Sequence, residues 1–158
     1  MDIEKILRTN SKLNLSLPKK AVINVLLTHG TINNALNNAL KPFDISIQQF
    51  NVLRILRGQE KHTANLETVQ DRMVSKMSNT SRLIDKLVKK GQVVKKTNKA
   101  NRRKIDITIT QEGLKFLETI DKIIDSTEEH LTSSLTENET KELIRLLGKI
   151  RLIANNSL

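Results

Sequence analysis

Apolar residues recur along this chain at two different periods, and the change from one to the other divides it. Val22, Val25, Leu26, His29, Ile32, Leu36 and Leu40 follow at three- and four-residue steps, the spacing of one helix face. Pro18 opens that helix behind Ser16 or Leu17, because a first-turn residue needs no N–H partner, and the helix stops near Pro42. Ser46 and Gln49 then form an S-x-x-Q capping box, with Ile45 and Phe50 at the staple positions on either side. They predict a helix through Val52, Leu53 and Leu56 to Gly58. After a polar loop around Gln59–Thr63, the spacing of Leu66, Val69 and Met73 predicts a short helix. Another begins near Ser75, turns Thr80, Leu83, Ile84, Leu87 and Val88 to one side, and ends at Gly91.

Beyond Gly91 the period falls to two. Residues 104–109 alternate polar and apolar, with isoleucines at 105, 107 and 109, β-branched residues that suit a half-buried strand. Residues 92–97 and 104–109 therefore read as a hairpin with a polar tip at Asn98–Arg103. Thr110 caps a following helix that carries Leu114, Leu117, Ile120, Ile124 and Leu131. Thr136 and Glu139 make a second capping box ahead of Leu143, Leu146, Leu147, Ile150 and Ile153. Three short helices followed by a two-stranded hairpin is the winged helix-turn-helix order. The expected fold is mainly α, a three-helix unit plus a two-stranded wing between long N- and C-terminal helices.

A length of 158 residues suits one domain with appended helices, and it contains no cysteine. Disulfides, a cysteine zinc site, a thiol nucleophile and a thiol sensor are thereby excluded. No apolar run is long enough to span a bilayer, and the N-terminal residues lack the basic-then-apolar order of a signal peptide. A cytoplasmic protein with no membrane partner is expected. Aromatics are 2% of the chain, without Trp or Tyr, which argues against a base-stacking platform. The three histidines, His29, His62 and His130, have no ligand spacing. His29, on an apolar helix face, predicts a buried, hydrogen-bonded imidazole first and the lining of a ligand pocket second. Without a phosphate loop or nucleophile elbow, no enzyme, cofactor or metal is expected.

Charge changes the picture more than composition does. The net charge is +10, made of +5 in residues 1–61, +8 in 62–110 and −3 in 111–158. Between Lys89 and Lys104 lie eight bases and no acid. Such polarity points to a polyanion met on one side. On the fourth helix, the face opposite Thr80 and Ile84 presents Ser78, Arg82, Asp85 and Lys89, flanked by Asn79, Ser81 and Lys86. Arg, Asn and Ser can pair with purine edges, and Lys reaches phosphates. The hairpin tip adds Lys99, Arg102 and Arg103, guanidinium and ammonium groups suited to a narrow minor groove. The candidate site for double-stranded DNA is therefore Ser78, Asn79, Ser81, Arg82, Lys86, Lys89, Lys99, Arg102 and Arg103. Each feature has a plainer reading as a solvated face or a solubility-promoting turn; their clustering favours DNA.

Four strings in order carry a resemblance: residues 45–53, residues 81–91, the wing Asn101-Arg102-Arg103, and residues 109–113. With the flanking helices, the stretch from about residue 20 to 155 resembles the MarR family of bacterial transcription regulators. The resemblance implies a homodimer joined by its N-terminal and last two helices, with two winged units reading a pseudo-palindrome as a repressor. It also implies release of DNA by a small aromatic or anionic effector bound between the dimer helices and the DNA-binding lobe. The family's wing carries Asp-x-Arg; here the arginine is Arg103, but the aspartate position is Asn101, which leaves the wing looser or held by another residue. Residues 1–16 then read as an arm, 17–42 as a dimerisation helix, 43–110 as the DNA-binding lobe and 111–158 as C-terminal dimerisation helices. Apolar stripes this long support pairing independently, since one winged unit cannot cover them all. A nonspecific DNA-coating protein and a winged helix used for protein contact are the alternatives.

Overall fold

The computed structural model describes residues 15–74, 79–98, 101–102 and 104–156. Helix α1 (Leu17–Leu40) carries Pro in its first turn and passes through a 3-10 turn, Lys41–Phe43, to Asp44, whose φ of 51° redirects the chain. Helix α2 (Ile47–Arg57) starts on the predicted capping box. The Ser46 hydroxyl accepts the Gln49 N–H at 3.2 Å, and the Gln49 side chain accepts the Ser46 N–H at 3.1 Å. Two orphan donors of the first turn are thereby satisfied. Strand β1 (Thr63–Asn65) follows, and Asn65 then caps α3 (Leu66–Arg72).

Helix α4 (Thr80–Lys89) begins at Thr80, not near Ser75. The Asn79 side chain accepts the Arg82 N–H at 3.2 Å and sets that start. Residues 75–78 lie outside the described residues. At its far end, Gln92 N–H donates to Leu87 O and Gly91 N–H to Val88 O, both at 3.0 Å. This 6→1 and 5→2 pattern requires a left-handed residue, and Gly91 supplies it with φ 71°.

Strands β2 (Val93–Thr97) and β3 (Ile105–Ile109) pair antiparallel from Val93 opposite Ile109 to Thr97 opposite Ile105, as the alternation predicts. The sheet has a third member that the polar stretch 59–63 concealed. β1 pairs with the other edge of β3, so the order is β1-β3-β2 and the wing strand β3 is central. Three residues are too few to display an alternation. Helices α5 (Gln111–Thr132) and α6 (Glu137–Asn156) complete the chain.

One apolar core joins the elements. Phe50, Leu53 and Leu56 of α2 meet Ile84 and Leu87 of α4, Ile107 and Ile109 of β3, and Leu117, Ile120 and Ile124 of α5. Leu40, at the end of α1, is fully buried with them. Ile105, expected on the inner face, is 49% exposed, because β3 has left the core by the time it nears the hairpin tip. The rest of α1 is different: Val22 and Leu26 are 58% and 64% exposed. None of the described side chains of α6 is buried.

Candidate nucleic-acid interface

Helix α4 sorts its residues by face. Thr80, Ile84 and Leu87 are buried, while Ser81, Arg82, Asp85, Lys86 and Lys89 are exposed. Arg82, Asp85, Lys86 and Lys89 line one shallow depression on this surface. Lys86 and Lys89 also occupy the last turn, where cations offset the negative end of the helix dipole. Lys90 turns the other way. Its ammonium donates to the Asp44 carboxylate at 2.8 Å and also to the Asp44 carbonyl, tying α4 to the turn after α1. That hydrogen bond first, and the lysine's charge second, hold the Asp44 carboxyl below the usual carboxylate range.

The wing meets the exposed face of α4. Asp85, which shares that face with Arg82 and Lys89, pairs with Lys95 on β2. A cross-element ion pair thus couples the helix to the hairpin. In the linear order Lys95 is one member of a charge run, and nothing there pairs it with Asp85. Asn79, a candidate for base contact, has its side-chain oxygen engaged by the cap. Ser81, Arg82, Lys86 and Lys89 are brought together on one face, and Arg102 is exposed at the wing tip. Ser78, Lys99 and Arg103 lie outside the described residues.

The wing is braced by groups that the sequence left unassigned. The Asn98 side-chain amide donates to both Asp106 oxygens, at 2.9 and 3.0 Å, and its oxygen accepts the Asn101 N–H at 2.8 Å. At the wing root, Thr110 caps α5 by accepting the Gly113 N–H at 3.0 Å and donates its hydroxyl to Gly91 O at 2.7 Å. Helix α5 is therefore bolted to the turn that ends α4.

A second concavity, of about 410 Å³, lies between α1, α2 and α5. Ile32, Leu36, Ile47, Phe50, Met73 and Val74 give it apolar walls, with His29, Asn33, Gln48, Asn51, Arg54 and Glu128 around them. The Arg54 guanidinium sits 5.6 Å from the centroid of the Phe50 ring. His29 is exposed at this cavity, not buried as the helix pattern suggests, because the apolar face it shares is itself left uncovered by the rest of the chain. Among the described residues, no cluster of histidine, aspartate and glutamate has metal-binding geometry, and no helix is long and apolar enough to cross a membrane.

Comparison with known proteins agrees with this architecture. Residues 45–105 match the model of the MarR family. The regulator PapX of Escherichia coli is 24% identical over 158 residues, spanning 98% of this chain and 95% of its own. A mutant of MarR from E. coli, solved in complex with operator DNA, shares the fold with a TM-score of 0.73 and 23% identity, over 95% of this chain and 99% of that one. BpsR of Bordetella bronchiseptica, whose structure concerns regulation of DNA binding by 6-hydroxynicotinic acid, has a TM-score of 0.77 and 18% identity, over 87% and 96% of the two chains. The helix order and the wing agree with that match: over residues 45–105 the chain is similar to the MarR family, and its fold is that of a mainly α winged helix-turn-helix protein.

Proposed function

We propose that this protein is a sequence-specific, double-stranded DNA-binding repressor that acts as a homodimer. Helix α4 enters the major groove, with Ser81, Arg82, Lys86 and Lys89 toward DNA and Ser78 and Asn79 at its leading end. The wing, with Lys99, Arg102 and Arg103, lies along the minor groove. The observation that carries this reading is the Asp85–Lys95 pair, which holds the basic helix face and the basic hairpin as one surface. Phosphate contacts fix the register of such a surface, and arginine or serine reads base edges.

The long helices supply the second copy. Residues 17–42 and 111–158 are read as dimerisation segments, supported by Val22 and Leu26 on α1 and Leu143, Ile144, Leu146 and Ile150 on α6, all exposed in the single protomer. A two-fold axis then spaces the reading helices about one duplex turn, roughly 34–36 Å, and makes the operator a pseudo-palindrome. The cavity beside Arg54 and His29 is the candidate effector site. Its volume, its apolar walls and the Arg54 guanidinium on its rim suit a small aromatic anion, with Glu128 the acid across from it in the lining. The regulation of BpsR's DNA binding by 6-hydroxynicotinic acid supports that ligand class.

The test is selection of duplexes from a random library by the purified protein, followed by titration at several salt concentrations. A regulator enriches one half-site pair and binds it at least about 10³-fold more tightly than scrambled duplex. Equal retention of all duplexes identifies a coating protein, and no retention at low salt identifies a protein-contact module.

A further inference from the structure

The wing lacks a carboxylate at position 101, yet one is built into it five residues later. Asp106 lies on β3, the central strand, with Lys96 of β2 and Asn65 of β1 as its register partners on the two sides. Its position is therefore set by two ladders. The half-buried Asp106 carboxylate receives the Asn98 amide on both oxygens. Asn98 then passes the order outward: its side-chain oxygen holds the Asn101 N–H, and its own N–H donates to Lys104 O at 3.0 Å. Lys104 N–H closes the bracket on Asn101 O at 2.9 Å. Both ends of the segment that carries Arg102 and Arg103 in sequence are thus fixed by one polar chain rooted in the sheet.

We propose that Asp106 and Asn98 are the positioning pair of the wing, and that they set its discrimination between A·T-rich and G·C-rich minor grooves. This rests on the DNA-reading function proposed above. The alternative, an incidental surface carboxylate, makes the opposite forecast. An acid beside a polyanion repels it, so removing a bystander acid raises affinity for every duplex alike. Removing a positioning acid costs selectivity instead. Asp106 touches no base in this scheme; it acts through Asn98 and the tip backbone.

The experiment compares wild type, Asp106→Leu, Asp106→Asn and Asn98→Leu on two duplexes. One is the site selected by the wild type with A·T flanks, the other the same site with G·C flanks. Amide exchange is followed at Asn101 and Lys104, with Leu53 and Leu56 as core references. The expected result is a flank preference reduced about five- to tenfold in both leucine variants, the worth of about one hydrogen bond, with faster exchange at Asn101 and Lys104 only. Asp106→Asn, which keeps one acceptor oxygen and loses the charge, retains more preference than Asp106→Leu. Uniformly tighter binding with the flank preference intact, or unchanged exchange at the tip, overturns the proposal. If the leucine variants fail to fold, Asp106→Asn decides by the same exchange readout. A wild type that selects no sequence removes the DNA-reading function, and this proposal with it. A selective wild type matched by selective variants removes the positioning pair alone.

Discussion

Gly113 offers a prediction in which helix propensity and tertiary packing disagree in sign. It occupies the first turn of α5, where replacement by alanine stabilises an isolated helix by up to about 1 kcal/mol. In the folded chain a Cβ at this position falls 2.2 Å from Gln92 O and 2.8 Å from the Ile109 Cγ1. The oxygen belongs to backbone held by the Thr110 N–H at 3.0 Å, so it has no rotamer to yield. Reaching an ordinary contact requires α5 to move by about 1 Å from the wing root, overpacking that costs about 1–3 kcal/mol. The Thr110–Gln92 hydrogen bond is strained with it, at about 1 kcal/mol. After the propensity gain, Gly113→Ala is expected to destabilise by about 1–3 kcal/mol. For a chain of this size that corresponds to a melting point lower by about 3–10 °C. Urea unfolding at matched protein concentration, with equal slopes for the two proteins, measures it. A variant as stable as wild type, or more so, shows that the close approach of α5 to Gln92 is wrong and that local propensity governs this junction.

Other expectations concern function and assembly. Arg82→Ala should weaken binding to the selected duplex by about 1–3 kcal/mol and relax preference at one base position; equal loss on scrambled DNA would reassign Arg82 to phosphate. Ile150→Glu places a carboxylate on the exposed apolar side of α6, and in a two-fold dimer it enters the interface twice. Sedimentation equilibrium should give a monomer for this variant and a dimer for wild type, and a monomeric wild type would remove the basis for the pairing. At the second capping box, the Thr136 N–H first and its hydroxyl second lower the Glu139 carboxyl below its usual range. A lowered folded value means the cap contributes fully above the unfolded carboxyl range of about 4.3 and is lost as pH falls through the folded value. Amide exchange at Thr136 should accelerate over that acid window in wild type, whereas Glu139→Gln, which keeps an acceptor without titrating, should show no such step.

Much of the fold could be read from local rules because local rules produced it. The box at Ser46 and Gln49, the Thr110 cap, the left-handed Gly91 and the alternation at 105–109 each depend on residues within a few positions of one another. The hydrogen bonds of the caps and of the Gly91 turn close without any distant partner, and the alternation marks a strand by its side-chain pattern even though its ladder is made with β1 and β2. The inward face of α4 was legible for the same reason, since 100° per residue separates Thr80, Ile84 and Leu87 from Arg82 and Lys89.

What the linear order could not express are partnerships made across the sheet and between helices. β1 is three residues long and exists because β3 offers it a free edge. Asp85 and Lys95 lie on different elements, and Asp106 reads as one polar position in an alternating strand until Asn98 is folded back over it. His29 shows the same limit in reverse: an apolar helix face foretells that something will cover it, and not whether the cover comes from the same chain. Local geometry is set by torsional and capping energies along the backbone, which the sequence by itself determined here. The alignment of the basic helix with the wing, and the bracing of the wing tip, follow from which distant surfaces the core brings within hydrogen-bond reach, and only the tertiary structure decided them.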